Sequence, residues 1–440
     1  MSNETLGLIQ LALLSLAIFI GFPTAFTLLA LGFVFGYVGF GHLVFDMMVQ
    51  RAFFVMSNDV LISIVLFVFM GYVVERSGIL DRLFRTILII SGPLRGSLAL
   101  STVITCTIFA MATGIIGASV TIMGLLALPP MLKLGYDKRL ASGAIAAGGT
   151  LGILIPPSVL LILYAANAGE SIVRLYLGAF IPGFILAAFY IIYITVVTWL
   201  RPEYGPPLPP EERNFPLGVK VRMFLTGVVP IGALISTVLG SIAFGWATPT
   251  EAAGFGALGA LILTAAYGRL SLENVRDAVY KSIRTSSMVL TLLVGSATFS
   301  GVFARLGGSR LIEEFIVGLN LPTWGFVWLM MLIIFLLGWP LEWTEIIIIF
   351  MPLFWPIAAR YHVDPIWLGI LVAVNLQTAF LSPPVAMAAF YIKGVAPKEV
   401  LLSEIWWGMM PFMGLQILAL VLVFFLPQLA LWLPNLVFGR

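Results

Sequence analysis

"AAGGTLGILIPPS", residues 146–158, interrupts a long apolar run in a chain of 440 residues. Gly148 and Gly149 are followed by Pro156 and Pro157. Proline removes a backbone donor and its ring collides with the preceding turn, so a continuous helix does not pass through this stretch. A second stretch, "NLQTAFLSPP" at 375–384, repeats the device with Pro383 and Pro384.

The composition around these breaks makes them costly. The chain is 61% hydrophobic and 10% charged, with mean hydropathy +1.09, where soluble domains carry roughly 25% charged residues. Long apolar runs without strand-like alternation predict an all-α polytopic membrane protein. At about 20 residues per span there is room for roughly ten or more spans. Apolar segments fall at 5–22, 23–41, 58–75, 98–132, 140–168, 175–200, 223–241, 249–267, 285–304, 324–359, 366–392 and 405–437. The first has neither a basic leader nor a small-residue cleavage site, and reads as a span, not a signal peptide. One cysteine, Cys106, and two histidines, His42 and His362, exclude an internal disulfide and a multi-cysteine or histidine-cluster metal site. A net charge of +3, scattered along the chain, gives nucleic acid no footprint.

The most hydrophilic connection is the proline-rich loop 201–222, near the midpoint, which invites a search for a repeat. An offset of 227 residues superposes Leu126, Pro129, Asp137, Ala146, Leu154, Pro156, Pro157 and Tyr164 on Leu353, Pro356, Asp364, Ala373, Leu381, Pro383, Pro384 and Tyr391. Both double prolines, both loop aspartates and both tyrosines coincide. Residues 1–200 and 223–440 are therefore expected to be two copies of one unit. Each has a re-entrant hairpin (about 98–132 and 324–359) and a broken span (about 140–168 and 366–392).

Basic residues in short loops favour the cytoplasm. Arg76, Arg82, Arg85 and Arg95 precede the first hairpin, and Lys133, Lys138 and Arg139 follow it. Both flanks then lie inside, so 98–132 enters and returns on one side, with its tip near "MATGIIGAS", 111–119. The 201–222 loop and "GRLSLENVRDAVYKSIR", 268–284, are also expected inside, the latter as an amphipathic interfacial helix. The second hairpin opens from outside, with its tip at "GWPLEWTE", 338–345. The copies are inverted and the N-terminus is outside, with Arg305 and Arg310 a mild exception.

Irregular backbone is tolerated at membrane depth where it is buried in protein or lines a cavity. In inverted-repeat transporters such breaks coordinate cations through carbonyls and face anions with helix N-termini. The candidates at the first tip and break are Thr113, Gly114, Gly117, Ser119, Thr121, Gly149, Thr150, Pro156, Pro157 and Ser158. At the second they are Trp343, Thr344, Glu345, Asn375, Gln377, Thr378, Ser382, Pro383 and Pro384. Small and hydroxylated residues also let membrane helices pack closely, the plainer account of any one of them. Glu251, in "TPTE", suits a helix start as well as a coupling role, and Glu342 is open to both a structural and a coupling role. "SND", 57–59, reads as a helix cap.

Three stretches carry a resemblance: "GASVTIMGLLALPPMLKLGYDKRLASGAIAAGGTLGILIPPSVLLILYA", "ATPTEAAGFGALGALI" and "GILVAVNLQTAFLSPPVAMAAFYIKGVAP". Together they resemble the large membrane subunit of tripartite ATP-independent periplasmic (TRAP) transporters. The resemblance implies a bacterial inner-membrane importer driven by sodium ions through an elevator motion, with no other cofactor. Its partners would be a periplasmic substrate-binding protein and a small four-helix membrane subunit. Its cargo would be an organic anion such as a C4-dicarboxylate, sialic acid or a 2-oxo acid. The second tip, "GWPLEWTE", is bulkier and more acidic than in dicarboxylate members. "VNLQTAFLSPP" and "YIKGVAP" look closer to members grouped with 2-oxo acids, mannitol or chloroaromatic compounds. No Walker lysine motif or HExxH is present, so neither ATP coupling within the chain nor that metalloenzyme chemistry is expected. A standalone sodium–carboxylate carrier is the alternative, separable by its independence of a binding protein.

Overall fold

The computed structural model describes residues 2–114 and 116–439. The described residues form helices and turns, with no strand. Among the described residues, eight helices are long and apolar enough to cross a membrane, or nine if Leu43–Met56 and Val60–Arg76, bent by 55°, count as one span. Shorter apolar helices include one arm of each hairpin, Ser97–Thr113 and Thr323–Leu337.

Local chemistry sets the ends. Ser2 caps Asn3–Ile20 by accepting from the Thr5 N–H at 3.3 Å, and Gly21, at φ +91°, ends it. Asn58 accepts from the Val60 N–H at 3.1 Å, so "SND" does start a helix. Between Arg76 and the first hairpin lies an amphipathic helix, Ile79–Ser91, which buries Ile79, Leu83 and Ile87.

The first hairpin consists of Ser97–Thr113 and Ile116–Lys133, turning at Gly114 within the expected tip. Its outgoing arm leads to Lys138–Thr150, a tight turn at Leu151–Ile153, and then Val159–Ala168 beyond the double proline. Asp137 caps the first half, accepting from the Leu140 N–H at 2.9 Å. Ser158 caps the second, accepting from the Leu161 N–H at 3.4 Å and donating to the Ile153 carbonyl. In the second half of the chain, Pro365–Leu381 and Met387–Val395 flank the other double proline. Asp364 occupies the position of Asp137 and accepts from the N–H groups of Ile366 and Trp367 at 2.8 and 3.0 Å. In both pairs the bond between the two prolines is cis.

The second hairpin differs from the first. After Thr323–Leu337 the chain opens at 338–342, forms one turn at Trp343–Glu345, widens into a π-helix at Ile346–Phe350, and resumes as Met351–Arg360. A π-turn misaligns backbone pairing. The Ser296 hydroxyl, from a neighbouring helix, donates to the Ile348 carbonyl at 2.6 Å.

Three boundaries depart from the expected ones. The interfacial segment 268–284 and span 285–304 are one helix, Leu272–Arg305, because no glycine or proline separates them. At 34 residues it is about 51 Å long, beyond a hydrocarbon core of about 30 Å. The segment 405–437 is two helices, Leu402–Phe425 and Gln428–Phe438, parted at Pro427. The connection 201–222 is structured: its end already belongs to helix Leu217–Gly227. Its start is bound to the base of the first hairpin. The Gly96 N–H donates to the Gly205 carbonyl at 2.7 Å, Leu208 to Gly92 at 3.2 Å, and Asp137 to Tyr204 at 3.1 Å. Residues 214–219 are exposed.

Candidate functional site

The first tip rests on the first break. At Gly114, φ is +61°, and a Cβ there would lie 3.2 Å from the Pro157 carbonyl oxygen. Glycine meets both demands, a left-handed backbone and close approach to another main chain. Three residues on, a Cβ at Gly117 would lie 3.1 Å from the Tyr391 ring, so the same tip also touches the second half of the other broken helix. At the second tip, a Cβ at Gly338 would lie 2.3 Å from that of Ala379, and the Trp339 indole N–H donates to Ser382 Oγ at 3.0 Å. Tyr164 crosses between the broken helices to donate to the Pro365 carbonyl at 2.7 Å.

Between these contacts lies a cavity of about 280 Å³. Gly114, Ile116, Gly117 and Ala118 line it from the first tip, and Glu342, Trp343 and Thr344 from the second. Val159, Phe380 and Tyr391 come from the broken helices, and Tyr72 and Thr285, which share a hydrogen bond of 3.1 Å, close one wall. A smaller space of about 110 Å³ lies between Gly338–Trp343 and the second break, with Glu342 and Trp343 common to both. A vestibule of about 620 Å³ continues from the central cavity past Gly117, Thr121 and Tyr391 to Glu75, Lys281 and Arg284.

The sequence candidates sort into three groups. Gly114, Gly117, Trp343 and Thr344 line the central cavity and Thr121 the vestibule. A second group supports it from behind. Thr113 bonds the Phe109 carbonyl and lies 3.5 Å from Ser119, Pro157 and Ser158 underlie the first tip, and Pro156, Pro383 and Pro384 hold the breaks open. Asn375 donates to the Met331 carbonyl at 2.7 Å, tying the broken helix to the second hairpin, and Thr378 bonds Asn375. Asn375→Leu is expected to cost about 0.5–1.5 kcal/mol by losing that tie, the Met331 carbonyl keeping its place in the helix Thr323–Leu337, read as a lower melting temperature of purified protein.

The third group packs elsewhere. Gly149 admits Val120, whose Cγ2 would lie 2.3 Å from a Cβ at 149, and Thr150 accepts from the Gln416 side-chain amide at 3.2 Å. Glu345 accepts from the Glu342 N–H at 3.1 Å, starting its own helical turn, so Glu342 and not Glu345 faces the cavity. Glu251 is exposed and closes a capping box: its carboxylate accepts from the Thr248 N–H at 2.8 Å, while its own N–H donates to Thr248 Oγ1 at 3.3 Å. Glu251→Ala is therefore expected to lower the melting temperature of the purified protein slightly, by the loss of one helix cap; an unchanged melting temperature would refute the cap. Of the sequence candidates, two have buried polar atoms with no hydrogen-bond partner among the described residues, Thr344 Oγ1 and the Gln377 amide. No cluster of three or more His, Cys, Asp or Glu is found among those residues.

Sequence reasoning did not single out Tyr72, Thr285 or Gln416. Gln416 carried a signal, a lone buried amide in an apolar span. Tyr391 was visible as the repeat partner of Tyr164 without a role attached.

Paired helix breaks beside one central cavity in an all-helical membrane protein are the arrangement of the class of polytopic transporters. The chain matches the family described as "Tripartite ATP-independent periplasmic transporter, DctM component" over residues 11–429, and it belongs to that family. It is a permease subunit, not an enzyme. It is 29% identical over 392 residues to the C4-dicarboxylate TRAP transporter large permease protein DctM of Rhodobacter capsulatus, covering 86% of this chain and 87% of that protein. It is 26% identical over 423 residues to the ectoine/5-hydroxyectoine large permease protein UehC of Ruegeria pomeroyi, covering 96% and 97%. In fold it resembles the crystal structure of the YdaH transporter of Alcanivorax borkumensis, with TM-score 0.63 at 13% identity over 89% of this chain and 88% of that one.

Proposed function

We propose that this chain is the conducting subunit of a tripartite importer that uses sodium ions to carry an organic carboxylate across the bacterial inner membrane. A periplasmic binding protein delivers the solute, and a separate small four-helix subunit completes the permease. The observation that carries the reading is the cavity shared by both tips, Gly114 and Gly117 on one side and Glu342 to Thr344 on the other. A central cavity between two hairpins, with a largely apolar wall, suits alternating access better than a channel, which needs a continuous polar lining. Main-chain carbonyls at the two breaks other than those of Ile153 and Ala379, which Ser158 and Ser382 engage, would with Thr344 and Gln377 supply oxygen ligands suited to a hard monovalent cation. Each sodium ion entering down 100 mV contributes about 2.3 kcal/mol from voltage alone.

The two inverted copies, 1–200 and 223–440, are the proposed source of the paired breaks, and an elevator motion of hairpins and broken helices the proposed movement. With the N-terminus outside, Lys281 and Arg284 lie at the cytoplasmic mouth, the release side. The test is uptake of radiolabelled carboxylates into proteoliposomes holding this chain and its small-subunit partner, with and without the cognate binding protein. Uptake is expected to need both an inward sodium gradient and the binding protein. Sodium-driven uptake indifferent to the binding protein would make this a standalone carrier, and uptake without sodium would end the coupling assignment.

A further inference from the structure

The wall of the central cavity carries one charged side chain among the described residues, and it is an acid, Glu342. No Lys, Arg or His of the described residues pairs with it within 4.0 Å. The rest of the polar wall is hydroxyl: Tyr72, Thr285, Thr344 and Tyr391. The vestibule carries both signs. Lys281 there is engaged by Glu75 at 3.8 Å and Asp277 at 3.2 Å, while Arg284 is exposed and pairs with no acid among the described residues. Tyr72, Gly117, Thr285 and Tyr391 line both spaces, so the two form one continuous volume, with the Glu342 carboxylate at the second tip and the Arg284 guanidinium at the mouth.

An unpaired carboxylate in a confined, half-buried wall repels a second carboxylate and favours a ligand that donates to it. A simple dicarboxylate would set an anion against Glu342. We propose that Glu342 is a specificity-determining residue, and that the solute is a monocarboxylate carrying hydroxyl or ammonium donors. Glu342 accepts from those donors, and Arg284 pairs with the solute's carboxylate, for which a guanidinium is well shaped. The inference rests on the import reading above, and names the solute class of the same site.

The test is thermal unfolding of the purified complex of this chain with its small subunit, in detergent and sodium buffer. The titrants are gluconate, glycerate, glutamine and ectoine against succinate and fumarate. The best donor-bearing monocarboxylate is expected to raise the melting temperature at concentrations about tenfold lower than the best dicarboxylate. Glu342→Gln is expected to shrink that preference below about threefold, Glu342→Asp to keep it, and Arg284→Gln to weaken every carboxylate about tenfold. A dicarboxylate that ranks first in the unmodified complex, or no solute that ranks above another, would overturn the proposal; this ranking needs no variant to fold. So would a Glu342→Gln variant in which the sodium requirement rises equally for all solutes, since Glu342 would then hold the coupling ion. Neither a gradient nor a binding protein enters the measurement, so its failure is separate from failure of the uptake test.

Discussion

Gly408→Leu is expected to yield no monodisperse protein, and Gly408→Ala a protein whose melting temperature falls by several degrees. A Cβ at Gly408 would lie 2.1 Å from the Arg139 carbonyl oxygen, and one at Gly143 would lie 2.2 Å from that of Gly408. The helices Lys138–Thr150 and Leu402–Phe425 thus cross main chain against main chain, the approach that paired small residues permit in membranes. No side-chain rotation relieves a clash with a carbonyl, so even one methyl group must move a helix. Overpacking costs about 1–3 kcal/mol, against a total stability of about 5–15 kcal/mol for an ordinary fold. Leucine adds three more carbons at the same point. Gly414→Leu on the same helix is the control, because a Cβ there meets nothing within 4 Å. Size-exclusion profiles and melting curves in detergent decide it: equal behaviour of the leucine variants at 408 and 414 would refute the crossing.

The second large effect concerns transport. Gly114→Val is expected to abolish most uptake, by at least about tenfold, in protein that still inserts and purifies. The left-handed backbone at φ +61° costs a non-glycine residue about 1–2 kcal/mol, and a β-branched one more. The added Cβ would also lie 3.2 Å from the Pro157 oxygen, pushing the first tip off the first break and opening the cavity between them. Gly169→Val separates the two causes, since Gly169 has φ +68° with nothing within 4 Å of its Cβ position. Initial uptake rates for both variants, normalised to inserted protein, are the measurement. Equal losses would mean that backbone strain, and not the contact between tip and break, is what matters.

Helix punctuation made much of this fold legible in the amino-acid sequence. Paired glycines and prolines marked the tip at Gly114, the opening at 338–342 and both broken spans, because proline and glycine act on their own neighbours whatever the tertiary setting. Glu251 was readable for the same reason, as caps bond within three residues, whereas Asp137 and Asp364 were read as matched loop aspartates and the structure shows them to be caps. What stayed hidden depends on contacts far apart along the chain. Nothing near Gly117 announces that Tyr391 will lie against it, and nothing near Gly143 announces Gly408. The π-turn at 346–350 is equally silent, since "IIIIF" suits an ordinary helix. Of the two acids at the second tip, spacing alone could not tell that Glu345 turns back to its own backbone while Glu342 faces the cavity.

The bonds between residues 204–208 and the base of the first hairpin also bear on where the polypeptide can be divided. By composition, the proline-rich middle of the connection looks like the natural seam. Yet Tyr204, Gly205 and Leu208 are backbone partners of Asp137, Gly96 and Gly92, so a cut there would detach a brace from the first half. The exposed stretch at 214–219 has no such duty. The seam for two co-expressed fragments, or for an inserted reporter domain, therefore lies near Asn214–Pro216, and the brace travels with the N-terminal piece.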